Sequence, residues 1–259
     1  MELAEKNIIV TGCASGMGAA TVRAYASAGA QVVGMDVNGE AGEEVCFDAT
    51  EEGPGTATYM SADVSNQDMV QRTFRAAVDQ LGSLHVLAHP AAIHQRSTAT
   101  SVTVDEWDTI FAVNVRGTML TNQAAYPYIK NSGGGSIINF GSISGNRPEP
   151  GAAAYSAGKG AVHSWTRTAA GTWGADGVRV NAVLPAMTTP MAEGARKAAA
   201  SEEQIAERYW RNLYPIALGQ EYGDPDRDLG PVMVFLASDA SHFITGQLIP
   251  VDGGQGQVR

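Results

Sequence analysis

The sequence is short of cysteine, of basic charge and of long apolar runs, and each shortage removes a class of protein. Two cysteines, Cys13 and Cys46, leave no disulfide framework. Cys13, inside a glycine-rich stretch, reads as a packing residue rather than a reactive one. Lys and Arg total 17 against 27 Asp and Glu, a formal charge of −10, so no basic patch is expected for a nucleic-acid backbone or an anionic membrane. No uninterrupted apolar run is long enough to cross a bilayer, and Met1-Glu2-Leu3-Ala4-Glu5-Lys6 carries two acids where a leader would be apolar. The expectation is a cytoplasmic chain. Internal repeats, low-complexity tracts and Pro/Ser-rich linkers are missing too, which predicts one domain over residues 1–259.

What is present is alternation. Short β-branched runs near residues 7–11, 31–36, 56–60, 84–88, 135–140, 177–184 and 246–251 are separated by longer helix-compatible segments. That order predicts a seven-stranded parallel sheet covered by helices on both faces, a doubly wound Rossmann-type α/β fold. Thr103-Val104-Asp105-Glu106 reads as a capping box opening a long helix that runs towards Pro127. A second long helix is expected from about Ala153. In such a sheet ligands bind outside the carboxyl ends of the strands, and Gly12, Ser142 and Pro185 all follow strands directly.

Asn7-Ile8-Ile9-Val10 leads straight into Thr11-Gly12-Cys13-Ala14-Ser15-Gly16-Met17-Gly18, and a helix-compatible stretch follows from Ala19. Strand, glycine-rich turn and helix in that order bring backbone N–H groups and a positive helix end up to a pyrophosphate. Further along, Tyr155 and Lys159 sit at i, i+4, on one face of the predicted helix. A phenol is a poor base at neutral pH, and a fixed cation beside it stabilises its phenolate. Alone, such a pair is an ordinary amphipathic surface. Asp36 ends the second predicted strand, where an acid accepts hydrogen bonds from ribose hydroxyls and repels a 2′-phosphate. No Lys or Arg follows it in Val37-Asn38-Gly39; its alternative is a solvated turn acid.

Taken together, Gly12-x-x-x-Gly16-x-Gly18, Asn114, Ser142 and Tyr155-x-x-x-Lys159 resemble the short-chain dehydrogenase/reductase family, over nearly the whole chain. The resemblance implies a catalytic tetrad of Asn114, Ser142, Tyr155 and Lys159. Tyr155 would exchange a proton with the substrate oxygen, Ser142 would align that oxygen, and Lys159 would hold the nicotinamide ribose. Asn114 would position a water that passes the proton outward, a buried asparagine in a kinked helix being the alternative. The cofactor is expected along Gly12, Ser15, Gly16, Met17, Gly18, Asp36, Asp63, Val64, Pro90, Ala91, Tyr155, Lys159, Pro185, Thr188 and Thr189. Asp63 is equally readable as a helix N-terminal acid.

Asp36 favours NAD over NADP. The implied activity is NAD(H)-dependent interconversion of a secondary alcohol and a ketone, on a hydrophobic or cyclic small molecule, in a homotetramer. An NADP(H)-dependent carbonyl reductase and a catalytically silent nucleotide-binding scaffold are the rivals. A lid is expected over about residues 187–222, and His94, Ser144, Arg147, Met187, Met191 and Tyr214 are the candidate substrate contacts. Two departures from the family pattern stand out. Ala88-His89-Pro90-Ala91-Ala92 replaces the usual Asn-Asn-Ala-Gly, and Pro185-Ala186 replaces Pro-Gly. Asp224-x-Asp226-x-Asp228 is not a calcium loop, since Leu229 and Phe235 stand where glycine and glutamate are needed.

Overall fold

Seven strands run in parallel in the order β3-β2-β1-β4-β5-β6-β7. They are β1 (Asn7–Thr11), β2 (Gln31–Asp36), β3 (Thr56–Ser61), β4 (Val86–His89), β5 (Gly135–Phe140), β6 (Val178–Pro185) and β7 (Leu248–Val251). The structure, a computed structural model, describes residues 2–190, 201 and 212–256. Met191 and most of the expected lid lie outside the described residues.

Side-chain alternation along the strands sends successive residues to opposite faces. Ile8, Val10 and Val32 pack beneath α1 (Gly16–Ser27), α2 (Gly39–Glu52) and α7 (Gly230–Ala237). Ile9, Val33 and Met35 pack beneath α3 (Gln67–Leu81), α5 (Gly117–Asn131) and α6 (Ala153–Trp173). Both faces are covered, as the near-continuous apolar strands predict. No helix among the described residues is long and apolar enough to cross a membrane.

The strand order reverses between β1 and β4, which pair from Ile8↔Val86 to Val10↔Ala88. Connections leave these two neighbours towards opposite faces and open a crevice at their carboxyl ends.

Two expectations are adjusted. β4 and β7 each start two residues later than the apolar runs suggest; Gly246, at φ +71°, turns the chain first, and its amide bonds Val180. The capping box at Thr103 and Glu106 is present. The helix it opens is broken into α4 (Val104–Ile110), a π-helical turn (Phe111–Arg116) and α5, which continues past Pro127 to Asn131. Pro127 and Gln123 are both exposed, so the carbonyl that the proline leaves unbonded faces water.

Candidate active site

Glycines build the first wall of the crevice. Gly12 and Gly16 hold φ of +64° and +53°, a region that costs other residues strain. A Cβ on Gly12 would come 2.7 Å from the Ala91 Cα, and one on Gly18 would fall 1.8 Å from the Gly12 carbonyl oxygen. Only bare backbone lets the turn after β1 nest against both α1 and the segment after β4. At the α1 N-terminus Ser15 makes no side-chain cap and the first turn carries no acid. Its amide donors therefore remain for an anion from outside the helix, which fits a dinucleotide pyrophosphate.

At the end of β2 the Asp36 carboxylate is fixed from two sides. Oδ2 accepts from the Ala14 amide at 3.1 Å and Oδ1 from the Asn38 amide at 3.0 Å. The acid is tied to the glycine turn itself, and no described cation pairs with it. Asp63 accepts from the Ser65 amide and hydroxyl at 2.8 and 2.7 Å, ahead of α3. Val64 is buried against Gly117. Beyond β6 the Thr189 side chain stands 3.5 Å from where a Gly16 Cβ would be. Thr188 is exposed and donates its amide to the Gly223 carbonyl. Thr189, rather than Thr188, thus closes over the glycine turn beside Pro185.

The second wall is made of side chains on α6 and the loop after β5. The Ser142 side chain lies beside the Tyr155 phenol, and its hydroxyl accepts the Ser144 amide at 3.1 Å. Lys159, 3% exposed, donates to the Phe140 carbonyl at 2.7 Å, and its ammonium lies 5.6 Å from the centroid of the Tyr155 ring. Burial pushes the Tyr155 phenol up to about 12, against a smaller opposing effect of Ser142. Burial likewise pushes Lys159 down to about 8. Each group is thus biased towards its neutral form, as desolvation of a charge requires.

Asn114 lies in the π-helical turn, 1% exposed. Its amide clamps one residue from both sides, Oδ1 accepting the Ile93 amide at 2.9 Å and Nδ2 donating to the Ile93 carbonyl at 2.8 Å. That clamp fixes the chain next to His94, whose ring packs 4.7 Å from the Tyr155 ring, centroid to centroid. Arg147 reaches Asn212 at 3.2 Å. Tyr214 is 51% exposed, whereas Met187 is 7% exposed, its sulfur against Gly223.

Two histidines brace the site, and the sequence singles out only the first, as part of the departure after the fourth strand. His89, 2% exposed, offers Nδ1 to the Thr11 and Thr121 hydroxyls at 2.7 and 3.2 Å. It thereby braces β1, β4 and α5 at the departure from Asn-Asn-Ala-Gly, and burial, with Lys159 second, pushes it down to about 3. His163 is the other, one helical turn beyond Lys159. Below them Asn122 and Asn139 exchange hydrogen bonds at 2.9 and 3.0 Å, joined by Thr166 and Trp165, so that α5, β5 and α6 are locked together under Tyr155. The i+4 spacing of His163 from Lys159 was the available signal. Cys13 is buried beside Cys46, which with burial holds its thiol above the usual range. The Asp224 carboxylate caps its own turn and Asp226 pairs with Arg23.

Known proteins agree with this architecture. A family profile described as "Enoyl-(Acyl carrier protein) reductase" matches residues 12–255. A Rhizobium meliloti protein named "Probable galactose dehydrogenase GalD" is 35% identical over 98% of this chain and 96% of its own. The meso-2,3-butanediol dehydrogenase of Serratia marcescens is 34% identical over 98% and 96%. A solved short-chain type dehydrogenase/reductase from Mycobacterium ulcerans superposes with a TM-score of 0.91 at 28% identity, covering 100% of this chain and 92% of that one. The chain belongs to the short-chain dehydrogenase/reductase family. It is an oxidoreductase of the secondary alcohol/ketone type, and the family implies a nicotinamide cofactor.

Proposed function

We propose that the protein is an NAD(H)-dependent dehydrogenase of a cyclic or hydrophobic secondary alcohol, working through Asn114, Ser142, Tyr155 and Lys159. The observation that carries this is the clustering of Ser142 and the Tyr155 phenol beside the buried Lys159, in the crevice that the glycine turn opens. A substrate oxygen seated against both hydroxyls is aligned by Ser142 and exchanges its proton with Tyr155. A phenol held neutral is ready to give that proton to a ketone. Running as an oxidation, the phenolate is favoured by the cationic form of Lys159. The bound dinucleotide supplies the hydride acceptor or donor and, when oxidised, a positive ring. With its side-chain amide engaged by Ile93 and its main-chain carbonyl accepting the Thr118 hydroxyl at 2.7 Å, Asn114 would position, through the second lone pair of that carbonyl, a water that passes the proton outward.

Asp36 supports NAD: its carboxylate, held against the glycine turn, is placed to accept ribose hydroxyls and repel a 2′-phosphate. His94 beside Tyr155 supports a substrate with a second polar group near the carbinol, in keeping with the sugar and diol named for two relatives. The test is a fluorescence titration with NADH and NADPH, followed by turnover of secondary alcohols with NAD⁺. We expect NADH to bind at least about tenfold more tightly, a difference of roughly 1.4 kcal/mol. Tighter NADPH binding moves the reading to a carbonyl reductase, and binding of neither to a silent scaffold.

A further inference from the structure

Tyr155, Lys159 and His163 are spaced i, i+4, i+8 on α6 and share one face. His163 is 3% exposed. Its Nε2 accepts the Ser142 main-chain amide at 3.3 Å, and its Nδ1 lies 3.1 Å from Asn146 Oδ1. The imidazole is also gripped by two glycines: a Cβ on Gly141 would come 2.6 Å from Nε2, and one on Gly145 2.6 Å from Cε1. The segment Gly141-Ser142-Ile143-Ser144-Gly145-Asn146 therefore wraps around one ring, and the wrap includes Ser142, the residue beside the Tyr155 phenol.

The donor pattern fixes the proton. A main-chain N–H can only donate, so Nε2 must present its lone pair; in a neutral ring the hydrogen is then on Nδ1, where the Asn146 carbonyl oxygen accepts it. We propose that His163, as the neutral Nδ1–H tautomer, is the positioning residue for Ser142, holding its main chain so that its hydroxyl meets both Tyr155 and the substrate oxygen. This rests on the reading of Ser142 and Tyr155 given above. Burial, and after it the cations Lys159 and Arg167, push the ring down to about 4, which keeps it an acceptor at neutral pH; the wrapping segment itself carries no charged side chain.

Neutron diffraction from deuterated crystals of the protein near neutral pH tests the tautomer without substrate or turnover. Deuterium on Nδ1 and none on Nε2 is expected; the reverse overturns the proposal whatever the enzyme does. Kinetics test the role, with 2,3-butanediol or cyclohexanol and NAD⁺ as probes. His163→Leu fills the space but cannot accept the amide, and should lower kcat about tenfold with KM for NAD⁺ within about twofold. His163→Gln, whose Oε1 stands near the Nε2 position, should keep kcat within about threefold of the parent. Equal losses in both variants, or no loss in either, overturn the proposal. A parent protein that binds NADH yet oxidises none of these alcohols sinks the dehydrogenase reading instead, and leaves the neutron result to decide the tautomer.

Discussion

The two walls of the crevice are built from different material. The wall at β1 and β2 is main chain: glycines at positive φ, uncapped helix amides and an acid held by amides. The wall at β5 and α6 is side chain, and nearly every group in it is held by another buried polar group. Main chain has one shape once the glycines are in place, so the first wall needs only an apolar floor, which Ile8, Val10, Val22 and Val32 supply. Side chains have rotamers, so the second needs His89, Asn114, Asn122, Asn139 and His163 to remove the alternatives.

The strongest way to break the contrast is to remove chemistry from one wall only. Tyr155→Phe should cut turnover by about 10²- to 10⁴-fold, the usual worth of a positioned acid/base, while NADH affinity stays within about twofold. Turnover that survives the change refutes the proposed mechanism. Gly18→Ala is the counterpart in the other wall. Its Cβ would fall 1.8 Å from the Gly12 carbonyl, so the turn must move; calorimetry should show about 1–3 kcal/mol of lost stability together with weakened NADH binding. Were only stability to fall, the turn would be scaffold and not cradle.

A third way to sharpen the contrast is acid stability. Unfolded histidine takes up a proton near pH 6.5, whereas His163 does so at about 4 and His89 at about 3. Below about 6.5 the unfolded chain binds the extra protons, so stability should be level above that pH and fall as the pH drops towards 4. The slope is up to about 1.4 kcal/mol per pH unit for each imidazole. His163→Gln should flatten part of it in denaturant melts; an unchanged slope would mean that the ring is already charged when folded.

The contrast also explains what could be read from the chain. Strands were legible as short β-branched runs because burial on both faces leaves them almost wholly apolar, helices as the longer segments between them, and the glycine wall because only glycine permits those φ values and contacts. Tyr155, Lys159, Ser142 and Asn114 were legible through spacing and resemblance. The contacts of the other braces were not. His89 meets Thr11 and Thr121, and His163 meets Ser142 and Asn146, only after strands far apart in sequence have paired, and a lone histidine on an apolar face carries no local mark of its partner. The π-helical turn was equally hidden, since Phe111–Arg116 differs from an ordinary helix by hydrogen-bond register alone.

The sheet order sets a timetable as well as a shape. β1 must wait for β4 before Gly12 has Ala91 to rest on, and β6 must wait for β7, whose Val251 carbonyl receives the Ala186 amide just behind Pro185 and Thr189. Pairings this distant in sequence are slow to form. A chain emerging in order from its N-terminus would finish most of its hydrophobic packing before it could grip a dinucleotide. Helical signal in a pulse-refolding experiment should accordingly return before NADH fluorescence enhancement does.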